Sequence, residues 1–116
     1  VDVGKVINKS VVDGQIYGGI AQGIGLALTE DFEDLTKHTT LAGCGLPMIE
    51  DIPDDFIIDY VEALRPSGPY GASGVGEVPL CASHPAVLNA IYDACKVRIT
   101  QIPALPEKIK AGLAKV

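Results

Sequence analysis

Between Arg65 and Leu80 the chain carries four glycines and three prolines. Proline fixes φ and glycine frees it, so this run is read as an irregular loop of defined shape. One carboxylate, Glu77, stands in it between Gly76 and Val78. Glycine at 74 and 76 lets a large ligand approach the main chain closely. Apolar surroundings raise a carboxyl pKa and suit it to act as a general base. Glu77 is therefore the candidate active residue, and the rest of the chain is expected to hold its loop in place.

A length of 116 residues fits one domain with one modest core. With 47% hydrophobic and 21% charged residues the chain is globular rather than disordered. Aromatics are scarce at 5%, the net charge is −6, and no basic cluster occurs. Nucleic acid and anionic membrane surfaces are therefore not expected as partners. The uncharged run from Gly14 to Thr29 is too short and too glycine-rich to span a bilayer. Cys44, Cys81 and Cys95 are odd in number and far apart, which argues against a disulfide framework or a structural zinc site and points to a cytoplasmic setting. No signal peptide is expected. An opening Val1 in place of Met is expected of a processed product or a piece of something longer.

The pattern along the chain predicts a small mixed α+β domain: a buried glycine-rich helix, short strands and two further helices. Val1 to Ile7 reads as a strand. Asp13 reads as the N-cap of a helix that is uncharged from Ile16 to Leu28 and ends near Glu30, because acids oppose the macrodipole at a C-terminus. A helix apolar nearly all round is buried on several sides. Its glycines each cost about 1 kcal/mol relative to Ala, which suggests a closely packed neighbouring backbone, with direct ligand contact by the glycine face as the alternative. Leu35 to Gly45 reads as an exposed excursion with a solvated His38. Pro47 and Pro53 bracket an extended stretch, and Phe56 to Leu64 reads as a strand. Ser83 is expected to cap a second helix with Pro85 in its first turn and a stripe of Val87, Leu88, Ile91, Ala94 and Cys95. Val97 to Ile102 reads as a strand. Pro106 is expected to open a last helix whose apolar face holds Ile109, Leu113 and Val116, with Lys108, Lys110 and Lys115 toward water.

The central loop allows three readings. As a phosphate cradle, Gly71 to Gly76 has the right glycine spacing, but Glu77 and Val78 stand where Lys and Ser/Thr belong. A dinucleotide fingerprint fails as well, because Pro79 replaces its third glycine. A structural turn with a solvated glutamate is the second reading, and a cofactor-contacting loop with a catalytic base is the third. His84 reads as a helix-start residue, Ser83 as a cap rather than a nucleophile, Tyr70 as a packed loop residue with a substrate-lining role as the alternative, and Cys81 and Cys95 as small hydrophobes.

Resemblance favours the third reading. Gly74 to Leu80, preceded by Gly68 to Ser73, resembles the C-terminal signature of the molybdenum hydroxylases, the xanthine dehydrogenase and aldehyde oxidoreductase family. Asp2-Val3-Gly4 with Ile7-Asn8 resembles the start of that segment. Gly14-Gln15-Ile16 and Gly18 to Gly25 resemble its glycine-rich helix, and Pro47 with Asp51-Ile52-Pro53 its proline-marked stretch. The likeness runs along the whole chain. Lys9 departs from the Pro usual after Asn8, and Cys44 from a usual aromatic; both lie outside the loop.

The resemblance implies that residues 1–116 form the C-terminal segment of a molybdopterin-binding domain, or an equivalent small subunit. Glu77 would be the general base that takes a proton from a molybdenum-bound hydroxyl before attack on an aldehyde or an electron-poor ring carbon of a purine. Gln15 would hydrogen-bond the molybdopterin, whose cytosine dinucleotide form is one option, and Ser73, Gly74, Val75 and Gly76 would offer main-chain contacts. No residue here would ligate the metal. Iron–sulfur clusters and the rest of the cofactor site would lie on other domains or subunits, leaving this chain inactive and prone to self-association when alone. A structural or interaction module that kept the fold without the chemistry is the alternative.

Overall fold

The first helix, α1, spans Lys9–Leu28 in a computed structural model that describes residues 1–115. Its N-cap is Asn8, five residues before the expected Asp13. Asn8 is extended, and its side chain accepts from Val11 N at 3.2 Å. Asp13 instead sits inside the helix and pairs with Lys9 at 2.6 Å, one turn apart. The helix stops at Thr29, in keeping with the acidic residues that follow. The second helix, α2, spans Val78–Cys95. Its N-cap is Glu77, and Ser83 lies inside it, donating its hydroxyl to Pro79 O at 2.7 Å. Pro85 is likewise interior; it stands on the solvent side, where the backbone bond it removes is least costly. The third helix, α3, spans Pro106–Leu113 with Pro106 at its start as expected.

The helices α1 and α2 pack together through glycine. A Cβ on Gly19 would lie 2.6 Å from Pro79 Cβ, and one on Gly23 would collide with Ser83 Cβ. One turn along α1 therefore matches one turn along α2, and the two run parallel. Two small cores flank this contact. Val3, Val12 and Ile16 form the first, joined by Ile58, Tyr60 and Val75. Val97, Ile99 and Ala104 form the second, under Leu28, Leu88, Ile91 and Ile109.

The expected strands are extended segments rather than a sheet. Among the described residues only two isolated bridges occur, Asp2 with Val61 in parallel and Gly4 with Ala72 in antiparallel. Residues 97–102 are irregular and held by side-chain burial. The architecture fits the mixed class in a helix-dominated form. Several details of the sequence reading change. Ala94 is exposed, Cys44 is buried, and His38 is half-buried with Nδ1 accepting from Asp34 N at 3.2 Å. Residues 49–51 form a 3-10 turn within the stretch between Pro47 and Pro53. Lys108 Nζ is drawn inward to Pro103 O at 2.9 Å, while Lys110 and Lys115 face water. Val116, expected on the α3 apolar face, lies outside the described residues.

The radius of gyration is 17.0 Å, against about 13 Å for a compact domain of this length. Exposed apolar side chains are correspondingly abundant, with Ile57 at 95% and Tyr70 at 89% exposure.

Candidate functional site

The central loop is anchored at its entrance and open at its exit. Asp2 Oδ2 takes a hydrogen bond from Arg65 Nη2 at 2.8 Å, and Oδ1 takes one from Gly4 N at 2.9 Å. The Gly4 amide above all, with Ala63 N and the Arg65 guanidinium, holds the Asp2 carboxyl below the ordinary aspartate value. Gly4 is in the left-handed region at φ 65°, and a Cβ there would run into Gly71 O. Gly71 O accepts from both Lys5 N and Arg65 N, and Ser73 N donates to Val3 O at 2.9 Å. These bonds fix residues 65–73 against the N-terminal segment.

Beyond Ser73 the backbone is free. Among the described residues the N–H groups of Gly74, Val75 and Gly76 have no partner. The Val75 side chain packs on the first core, which orients the loop. A Cβ at Gly74 or Gly76 would meet nothing within 4 Å. Ser73 differs from its three neighbours: its amide is used inside the chain, so its hydroxyl and carbonyl are what it can offer a ligand.

Glu77 ends the loop and starts α2 with φ −98° and ψ 3°. The loop is thus shorter than the composition suggests, since Val78 to Leu80 are already helical. Although Glu77 occupies the N-cap position, its side chain makes no capping bond. The carboxylate is exposed. This chain supplies no enclosure around it.

Gln15 is exposed on α1, one turn before Gly19. Gly19 faces Pro79, and Ile16 shares a core with Val75, so Gln15 and the 74–77 segment occupy the same end of the helix pair. Gly14 and Gly18 share the outward side of α1 with Gln15, and a Cβ on either would meet nothing within 4 Å. Helical spacing puts Gly18 on a different face from Gly19 and Gly23, but sequence reasoning did not single out Gly14 beside it. The signal was available, because Gly14 and Gly18 lie one turn apart on either side of Gln15. A groove of about 680 Å³ continues this side of α1, lined by Tyr17, Gly18, Ala21, Ile52 and Phe56 among others. Tyr17 and Phe56 meet edge to face at 4.8 Å. Neither Glu77 nor residues 73–76 line it.

The other singled-out residues stand apart from this end. His84 is mid-helix with Nδ1 3.3 Å from Leu80 O. Cys95 joins the second core, whereas Cys81 is exposed rather than packed. Tyr70 is exposed and left-handed at φ 54°, not the packed loop tyrosine expected. Among the described residues no group of three or more His, Cys, Asp or Glu is placed to hold a metal ion, and no helix is long and apolar enough to cross a membrane.

An anchored loop with free amides thus stands at the same end of the helix pair as an exposed amide and an exposed carboxylate. A family model described as the molybdopterin cofactor-binding domain matches residues 1–53. The chain is 58% identical over 112 residues to the aldehyde oxidoreductase of Megalodesulfovibrio gigas, covering 97% of this chain and 12% of that protein. It is 34% identical over 119 residues to a probable hypoxanthine oxidase of Escherichia coli, covering 99% of this chain and 12% of that one. Its fold superposes on the crystal structure of the aldehyde oxidoreductase from Desulfovibrio desulfuricans with a TM-score of 0.92 at 60% identity, over 96% of this chain and 12% of that chain. The chain belongs to the molybdenum hydroxylase family, as a segment of its molybdopterin-binding domain. It spans about an eighth of the length of these relatives.

Proposed function

We propose that residues 1–116 are the C-terminal segment of the molybdopterin-binding domain of a cytoplasmic molybdenum hydroxylase that oxidises aldehydes or N-heterocycles, and that Glu77 is its general base. The remaining domains or subunits complete the cofactor cradle, carry the iron–sulfur clusters and enclose the substrate. The observation that carries this reading is the pairing of three consecutive unpartnered amides, Gly74 to Gly76, with an uncommitted carboxylate at the next residue.

The residues present fit the cofactor. A row of free N–H groups suits its oxygen atoms. Glycines 74 and 76 leave space that a Cβ would fill. When bound, the molybdopterin group supplies the two-electron oxidation of the substrate carbon. The protein's part is position and proton handling. The Gln15 side-chain amide both donates and accepts, so it can fix one edge of a pterin. The Gly74, Val75 and Gly76 amides would donate to the same group. Ser73 contributes its hydroxyl. A Glu77 oxygen accepts the proton released as the new carbon–oxygen bond forms, and returns it to water. Enclosure by the rest of the protein would exclude solvent from that carboxylate and raise its basicity.

The test is Glu77→Gln in the complete enzyme. Turnover should fall by about 100-fold or more, the usual contribution of a general base, with molybdenum content unchanged. Turnover within a few-fold of the parent would overturn the assignment. A non-catalytic interaction module is the second reading, and the exposure of Glu77 away from the groove beside α1 favours it. Co-expression with the complementary large segment decides between them: molybdenum-dependent oxidation of aldehyde or purine supports the enzyme, and a folded but inactive assembly supports the module.

A further inference from the structure

The extended segment from Phe56 to Leu64 has two edges, and one of them is used. Val61 N donates to Val1 O at 2.9 Å, the Val1 ammonium donates to Asp59 O at 3.0 Å, and Ala63 N donates to Asp2 Oδ1 at 3.3 Å. Backbone groups of successive residues in an extended chain point to opposite edges. The N–H and C=O groups of Ile58, Tyr60 and Glu62 therefore face away from residues 1–5, and among the described residues none of them has a partner. The two faces differ as sharply. Ile58 and Tyr60 pack on the first core, while Ile57 is 95% and Val61 64% exposed.

An edge meant to remain in water is normally guarded by Lys, Pro or a bulge. Phe56 to Leu64 has no Lys and no Pro; its charges are Asp59 and Glu62. The Glu62 carboxylate is turned back to Val6 N at 2.7 Å and Lys5 Nζ at 3.4 Å. A helix laid over Ile57 and Val61 would leave the free backbone groups buried without partners. A strand added to this edge satisfies them.

We propose that residues 56–64 pair edge-on with an extended segment of the polypeptide that completes the molybdenum-binding subunit. The occupant is a part of that polypeptide because the chain covers 12% of its solved relative, whose remainder belongs to the same chain. The order 71–73, 1–5, 56–64 seen here is then continued by one more strand. This inference rests on the chain being a segment of a larger subunit, and it is independent of what Glu77 does.

The experiment is residue-resolved amide hydrogen exchange on the complete subunit, which needs no turnover. The amides of Ile58, Tyr60 and Glu62 should exchange about 100-fold or more slowly than in an unfolded chain. The Ile57 amide, which lies beyond Val1 and off the open edge, should exchange fast. Exchange of all three at near-unfolded rates overturns the proposal. Equal protection of Ile57 also overturns it, because that is burial without pairing. Protection that disappears on dilution assigns the edge to a second copy and overturns it too. Each result can be read whether Glu77→Gln is active or dead, so a failure here is distinguishable from a failure of the base assignment.

Discussion

On one side of α1, Gly19 and Gly23 lie where a Cβ would strike Pro79 or Ser83. On the other, Gly14 and Gly18 face empty space. Both pairs sit in the same helix, and both give up about 1 kcal/mol per residue of helix propensity relative to Ala. The first pair recovers that cost inside the chain by letting two backbones meet. The second recovers nothing there, and neither residue has a positive φ that would demand glycine. The contrast separates a face that builds this segment from a face shaped for something outside it. Gln15 stands on the outward side.

The largest effect should follow from Gly23→Ala. Its new Cβ would force α2 away from α1, at a cost of about 2 kcal/mol after the propensity gain. The expected readout is a lowered unfolding midpoint for the complete subunit, and an unchanged midpoint would mean that the helix contact yields freely. Gly18→Ala should do the reverse. It should stabilise the helix by up to about 1 kcal/mol. It should also lower molybdenum content per subunit by about tenfold, the equivalent of roughly 1.4 kcal/mol of overpacking. Full occupancy in that variant would erase the distinction between the two faces.

The smallest effect is a control on a turn belonging to neither face. Hydrogen bonds from the Thr36 side chain first, then Lys37, pull the Asp34 carboxyl from 3.8 to about 2. A depressed native value means that the folded turn binds the proton less readily than the unfolded chain. Its stabilisation is therefore complete above about 3.8 and is lost as pH falls through about 2. A carboxyl titration followed by NMR should find that midpoint in the parent and in both glycine variants. A midpoint near 3.8 in the parent would remove the turn, and a shift in one variant alone would show that its effect is global.

What the sequence disclosed depended on how local each cause was. The end of α1 and the start of α3 follow from acids at a C-terminus and Pro106 at a first turn, and both were legible. The helix starts were misread because good capping residues, Asp13 and Ser83, sit inside helices. Asp13 is taken by Lys9 and Ser83 by Pro79 O, so neither is free to cap. The β-branched runs at 56–64 and 97–102 read as strands, yet a strand needs a continuous ladder, and among the described residues 56–64 makes one isolated bridge, to Asp2, and 97–102 makes none. The loop motif and its carboxylate were also visible in the sequence. The exposure of Glu77 was not, because the surroundings of a side chain belong to whatever encloses it.

The parallel seating of α2 on α1 makes the glycine notch a fulcrum. Ser83 stands six residues after Glu77, a lever arm of about 9 Å at helical rise. A single methyl wedged at Gly23 would tip that arm and swing the carboxylate relative to Gln15. The base proposed at Glu77 would then be detuned by an atom that never approaches the substrate.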